Sequence, residues 1–366
     1  MRVAVRIFHP EPGPAAGPLE SWLSATRARQ AQRHHAAFEA AGAHDVRIVA
    51  GPPDDIPFGR RLRAALPGLT AGGAVGLVAL GSGAIPLATR ADYRRLVAAA
   101  GGAAGTALAN NRFSADVVAI AGLAALRDLP DGTTDNALPR WLLEAAGYVV
   151  TDLRARSRLG LDLDSPLDVI LAGLARSRTA GRGTAGGRRP SWTPQPPTGI
   201  DLAPVRDRLA SVRAMAADPR AELVVFGRTG AASLAWLERH AAARVRALVE
   251  ERGLKAGTDD SRPPASVLGA LLDREGPDAL GAILSRLGEA AIVDTRVLLA
   301  HRLGRAERGW PAAEDRFASD LLLPELVSDP WLRALTASAA AAPIPVLLGG
   351  HTLVGPGLRL VVGGGT

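Results

Sequence analysis

The chain has 366 residues, a formal net charge of +7 and no cysteine. That length allows two domains of ordinary size, each with its own core. The missing thiols exclude disulfides, thiolate metal sites and cysteine nucleophiles.

A hydrophobic fraction of 47% with only 4% aromatics fits an Ala/Leu/Val-rich α/β protein. No apolar run approaches the roughly 18 residues of a membrane span. Met1 to Arg6 reads as a first strand, not as a signal peptide, so a cytoplasmic protein with no membrane partner is expected. Lys255 is the only lysine, and the positive charge is arginine interleaved with carboxylates. This spread argues against nucleic acid and for small anionic partners. The arginine, alanine and glycine bias suits a GC-rich coding sequence and a bacterial source. A phosphate loop of the G-x-x-x-x-G-K-[ST] type is absent.

In chain order, Val3 to Phe8 predicts a strand and Leu19 to Ala41 a long helix. Asp45 to Ala50 predicts a strand, Gly59 to Leu66 a helix, Val75 to Leu80 a buried strand and Arg90 to Ala100 a helix. Thr106 to Ala109 is a short strand, and Ser114 to Ala119 a strand or a helix start. A helix over Asn136 to Ala146, a strand over Tyr148 to Leu153 and a helix over Pro166 to Arg176 complete the first half. Short strands separated by helices imply a mainly parallel sheet sandwiched by helices.

Ser177 to Gly199 is rich in Gly, Pro and Arg and reads as a linker. It divides a domain over 1–176 from a second, smaller α/β domain over 200–366. There Glu222 to Phe226 and Arg244 to Val249 predict strands, and Ala265 to Arg274 and Asp278 to Leu287 helices. Ala291 to Ala300 predicts a strand carrying Asp294, Thr295 and Arg296. A helical region covers Trp310 to Ala341. Ile344 to Leu348 predicts a strand, Gly349-Gly350-His351 a turn and Leu358 to Val362 a final strand.

The densest chemistry lies in Leu161-Asp162-Leu163-Asp164-Ser165-Pro166-Leu167-Asp168. Alternate residues of a strand face one way, so Asp162 and Asp164 point together at one hard cation such as Mg²⁺. Ser165 and Pro166 then suit the N-cap and first position of a helix. The plain alternative is an exposed strand end before a capped helix, with Asp168 favoured by the dipole.

This segment, with the turn Leu80-Gly81-Ser82-Gly83-Ala84-Ile85-Pro86, resembles the nucleotidyltransferase superfamily of glycosyltransferase-A-like fold. The nearest branch is similar to the molybdenum-cofactor and 2-phospho-lactate guanylyltransferases. The resemblance covers the first half of the chain only. It implies Mg²⁺ and a nucleoside triphosphate or nucleotide sugar near Asp162 and Asp164. Ser82 stands where the family places another metal-binding Asp. The Gly-rich loop and its lysine are replaced by His9-Pro10-Glu11-Pro12-Gly13-Pro14-Ala15-Ala16-Gly17-Pro18, whose prolines remove backbone donors.

Further candidates for substrate binding are Ser82 and Gly83 in that turn and Asn110, Asn111, Arg112 and Asp116 in a polar cluster. Asp116 is also a substitute for the missing carboxylate. A turn with a capping residue explains this cluster equally well. In the second half, Arg228 follows a strand and opens a helix, an arrangement that suits anions. Asp294, Arg296 and His351 fall at strand ends and line an acidic-ligand pocket or form plain salt bridges. His34 and His35 are adjacent on a helix, face different ways and make no chelate.

Two functions follow from these residues. One is Mg²⁺-dependent nucleotidyl transfer to a small anionic acceptor with a phosphate or carboxylate, with glycosyl transfer from a nucleotide sugar as a close variant; Asp162 and Asp164 are then the catalytic and metal-binding pair. The other is a non-catalytic ligand-binding or assembly protein on a degenerate transferase fold. The sequence leaves a homo-oligomer open.

Overall fold

The computed structural model describes residues 2–52, 56–179, 193–254 and 262–363. Lys255 and residues 180–192 of the expected linker lie outside them. The chain divides into two compact units, one of residues 1–15 and 24–163, the other of 16–23 and 164–366.

The first unit is built from β1 (Val3–Pro10), α1 (Pro18–Ala40), β2 (Asp45–Gly51), α2 (Phe58–Ala71), β3 (Gly76–Gly81), α3 (Arg90–Ala100), β4 (Thr106–Ala109), β5 (Val117–Ala121), α4 (Leu138–Glu144) and β6 (Val149–Asp152). Residues 16–23, with the first turn of α1, group with the second unit. The strands form one sheet in the order β2-β1-β3-β5-β4-β6. Only β5 runs antiparallel to its neighbours. The ambiguous segment after Ser114 is therefore a strand, and the parallel-rich expectation holds.

The sheet is covered on both faces, and the side-chain period of two shows how. Val3, Val5 and Ile7 of β1 join Phe38, Tyr93 and Leu96 in one core. Ala4 of β1 and Leu77 and Ala79 of β3 join Leu62, Leu66 and Leu69 of α2 and Leu138 and Leu142 of α4 in the other. Buried Arg6 breaks the apolar run of β1. Its Nη2 donates to Asp45 Oδ2 on β2 at 2.7 Å, so the charge is paired where it enters the sheet.

The second unit follows with α5 (Pro166–Thr179), α6 (Ala203–Ala216), β7 (Glu222–Gly227), α7 (Ala231–His240), β8 (Arg244–Val249), α8 (Val267–Glu275), α9 (Leu280–Ser285), β9 (Ala290–Asp294), α10 (Thr295–Leu303), α11 (Ala313–Asp320), α12 (Pro330–Ala341), β10 (Val346–Gly349), α13 (His351–Val354) and α14 (Leu358–Val362). Its smaller sheet has the order β10-β9-β7-β8, with every pair parallel. Helix α5, assigned from the sequence to the first domain, packs on α11, α13 and α14. No helix among the described residues is long and apolar enough to cross a membrane.

Two expected strands are corrected. The run Ala291 to Ala300 is a strand only to Asp294. There the Asp294 carboxylate accepts from Arg296 N at 3.2 Å and starts α10. The segment Leu358 to Val362 is helix α14. Both are short apolar runs buried on most sides, and periodicity does not separate a buried strand from a buried helix in such runs. Helix α6 went unassigned, although Val205, Leu209, Val212 and Ala216 mark its buried stripe.

A buried carboxylate anchors the start of α3. Asp92 Oδ2 accepts from Thr89 N at 2.9 Å and from its hydroxyl at 2.7 Å, which completes a capping box. Arg156 and Arg158 donate to the same carboxylate. Burial pushes the Asp92 carboxyl up, but Arg158 and the Thr89 donors outweigh it and hold it down at about 2. We expect Asp92→Ala to lower the stability of the first unit by roughly 3 kcal/mol, since it strands two guanidinium groups and a helix start. The urea midpoint reads this. Asp92→Asn keeps an acceptor for Thr89 and is expected to lose less.

Candidate functional site

In the first unit the strand order reverses between β1 and β3. β2 lies on one side of β1 and β3 on the other, and ligands of open α/β sheets bind beyond the carboxyl ends at such a point. His9 near the end of β1 and Ser82 just past β3 meet there. His9 Nδ1 and Ser82 Oγ are 3.1 Å apart, and both residues are buried. Burial lowers the His9 pKa, Arg27 lowers it further and Glu11 opposes them, so the ring is neutral at pH 7. Ser82 N donates to Phe8 O at 2.8 Å and pins the turn to β1.

Asp162 reaches the same turn through an isolated antiparallel bridge with Ala84. A Cβ on Gly83 would lie 2.8 Å from Asp162 Oδ1, so a residue without a side chain lets the carboxylate approach. Asp162 Oδ1 accepts from Leu163 N at 2.9 Å, and Arg27 Nε donates to Leu163 O at 2.7 Å. Asp116 flanks the turn on another side, where its carbonyl accepts from Gly81 N. A hollow of about 40 Å³ lies beside it, lined by Phe8, Gly81, Asp116 and Asp135 among others. It has room for a few waters and not for a nucleotide.

The turn is strained and buttressed. Ile85 is fully buried with φ at +42°, a sparsely populated conformation for a β-branched residue. Behind it His34 lies 2.9 Å from both Ala84 O and Tyr93 Oη. Complete burial pushes the His34 pKa down to about 3, so its neutral ring is a fixed part of the scaffold.

The other predicted residues of this unit divide. Asn110 is consumed locally. Its Nδ2 donates to Asp116 Oδ2 at 2.8 Å and Leu159 O at 2.9 Å, and its Oδ1 accepts from Asp116 N at 3.0 Å. Asn111 Oδ1 accepts from Phe113 N at 3.0 Å in an Asx turn. Arg112 lies over the Phe113 ring and 3.7 Å from Asp152. Asn110 and Asn111 thus build the loop that the plain reading predicted.

The run around Asp162 and Asp164 is not a strand, since only Asp162 bridges. The alternation that would have set both carboxylates on one face is therefore missing. Asp164 is exposed and opens the second unit, where its N–H donates to Asp168 Oδ2 at 3.0 Å. Among the described residues no group of three or more His, Asp or Glu is placed to hold a metal ion.

In the second unit the strand order reverses between β7 and β9. A buried ionic cluster occupies their carboxyl ends. Arg228 Nε and Nη2 grip Asp294 Oδ2 and Oδ1 at 2.6 and 3.0 Å. Arg296 Nη2 donates to Asp320 Oδ2 at 2.7 Å, and its Nη1 to Asp320 Oδ1 and Thr295 Oγ1. Thr295 Oγ1 donates to Gly349 O and ties β9 to β10.

Gly227 makes the Arg228–Asp294 contact possible. Its φ is +119°, and a Cβ there would sit 2.3 Å from Asp294 Cβ. Burial alone would raise the Asp294 carboxyl, but Arg228, with His351 and Arg296 behind it, holds it below the usual range. Burial also opposes the charge on Arg296, and Asp320 more than restores it. The two arginines singled out for anion binding are thus each neutralised by a carboxylate. His351 is exposed and starts α13 instead of forming a turn.

Sequence reasoning missed His9 and Asp320. His9 was visible as the last polar residue of a central strand, whereas Asp320 lies inside a helical run with no local sign of its partner. Asp168 was read as a helix-dipole residue and proves fully buried. Its Oδ2 accepts from Ser165 N at 2.7 Å and Ser165 Oγ at 3.0 Å. Burial, then the nearby Asp164 and Asp320, push its carboxyl up to about 8 against the Ser165 donors.

In the unfolded chain Asp168 loses its proton near pH 4. The proton it keeps on folding therefore favours the native state fully below that pH, and the benefit is lost as the pH rises toward 8. We expect stability to fall from pH 5 to pH 8. Asp168→Asn, which preserves an acceptor for Ser165, should flatten that slope in urea titrations at several pH values.

No family model matches the chain, and no curated protein matches it. Among solved structures, a Desulfovibrio desulfuricans G20 protein described as a nucleotide-diphospho-sugar transferase aligns with 42% of this chain and 80% of its own. The identity is 14% and the TM-score 0.32.

Proposed function

We propose that the first unit is a nucleotide-dependent transferase domain that moves a nucleotidyl group from a nucleoside triphosphate to a small phosphorylated or carboxylate acceptor. The meeting of the Ser82 turn with Asp162 at the point where strand order reverses supports this reading. Glycosyl transfer from a nucleotide sugar uses the same site, because the diphosphate takes the place of the triphosphate.

The donor chemistry suits Mg²⁺, which keeps several waters and binds through one or two carboxylates plus substrate phosphates. Asp162 is the carboxylate the turn presents, and the proposal narrows to it from the pair Asp162 and Asp164. Bound Mg²⁺ supplies neutralisation of phosphate charge during the displacement. The protein contributes position. Arg27 holds the Leu163 carbonyl and so fixes the segment that carries Asp162. Neutral His9, with its proton on Nδ1, donates to Ser82 Oγ and turns the Ser82 hydroxyl proton toward an incoming phosphate oxygen. His34 and the Ala84–Asp162 bridge keep the strained turn in place, which lowers the reorganisation needed on binding.

A non-catalytic ligand-binding module is the second reading. Ser82 in place of a carboxylate and the small hollow beside the turn favour it. Calorimetric titration of the full chain with each common nucleoside triphosphate and nucleotide sugar, with and without Mg²⁺, tests both. We expect Mg²⁺-dependent binding that Asp162→Asn weakens about tenfold or more, as loss of one charged contact does. If neither ligand class binds, the nucleotide reading falls. Binding without turnover of any phosphorylated or carboxylate acceptor would select the non-catalytic reading.

A further inference from the structure

The second unit has a ligand-binding geometry of its own, independent of the first. Thr229 is 1% exposed, and its Oγ1 has no hydrogen-bond partner among the described residues. Buried hydroxyls are almost always satisfied, so an orphan of this kind asks for a group the protein alone does not supply. Thr229 sits between Arg228 and Gly230, on the segment that leaves β7 where the strand order reverses. The rule that places ligands beyond carboxyl strand ends at such a point applies here as well.

Three more features share this segment. Helix α7 begins at Ala231, and its N-cap Gly230 provides no side-chain acceptor for the first amides. The space a side chain would take at Gly230 is open, with nothing within 4 Å. Arg228 gives Nε and Nη2 to Asp294, which leaves Nη1 outside the pair. Each of these groups is a donor. The neighbouring carboxylates Asp294 and Asp320 are already engaged by Arg228 and Arg296, so they offer little repulsion to an anion.

We propose that the end of β7 is a phosphate-binding site, in which Thr229 Oγ1, Arg228 Nη1 and the first amides of α7 hold a phosphate group of a small molecule. A hydroxyl, a guanidinium edge and helix-start amides together match a tetrahedral oxyanion. The buried Arg228–Asp294 pair acts as a positioning unit. Asp294 fixes the guanidinium plane and prevents Arg228 from following the ligand out to solvent.

Titration of the full chain with inorganic phosphate, followed by ³¹P line broadening and calorimetry, tests this. Two variants separate binding from folding. Thr229→Val keeps the shape and removes the orphan hydroxyl. It should keep or raise the melting temperature of the ligand-free protein and weaken phosphate binding about tenfold. Gly230→Asp places a carboxylate in the open space, where the backbone is already extended at φ −77° and ψ 151°. It should cap α7, preserve the fold and abolish phosphate binding. Asp162→Asn should change nothing in this assay. The proposal is overturned if phosphate does not bind, if both second-unit variants bind it as the parent does, or if Asp162→Asn removes the binding.

Discussion

Parallel pairing is the constraint on which both units depend. A parallel strand is not followed by a hairpin, so each crossover returns the chain to the same edge of the sheet. All strand exits in a parallel set then collect at one end, and the helix starts collect with them. In the first unit this brings Ser82 beside His9 although 73 residues separate them. In the second it brings Arg228 beside Asp294 across 66 residues. The same connectivity leaves the interior of each sheet apolar, so polar chemistry has only the strand ends to occupy.

The two ends use that position differently. The first unit keeps its polar groups mostly neutral and invests in shape: a strained Ile85, a neutral buried His34 and a glycine pressed against a carboxylate. The second invests in charge. Removing a charged pair from water costs several kcal/mol per ion, and only close, multiply bonded geometry restores it. Arg228 with Asp294 and Arg296 with Asp320 meet that condition through two-pronged contacts. Apolar residues would fill the same volume at lower cost, so the arrangement speaks for a task at this end of the sheet.

The legible part of the fold was the part carried by periodicity. Strands such as 76–81 and 222–227 are apolar runs bounded by turn residues, and α1 to α3 have clear stripes. What stayed hidden has a common cause. Residues 297–300 and 358–362 are buried on most sides, so nothing in them alternates. For the site, strand-end logic found Arg228, Asp294 and Arg296. It did not reveal that each arginine has a carboxylate of its own, because Asp320 comes from a distant helix. The Asp162 and Asp164 pair failed as a pair for a local reason, since a single bridge is too short to impose alternation. The division of the chain was misplaced by α5, whose partners all lie more than 140 residues further on.

Glu314 has a bearing on how the chain is made. Its carboxylate accepts from Leu19 N at 2.9 Å and Glu20 N at 3.0 Å, at the start of α1, where Pro18 and Gly17 supply no side-chain acceptor. During synthesis this helix start emerges from the ribosome almost 300 residues before the group that completes it. Residues 16–23 therefore wait, exposed to chaperones and proteases, while the sheet around β1 assembles. The second unit is woven from both ends of the sequence and is not a module that a cut at residue 200 would release.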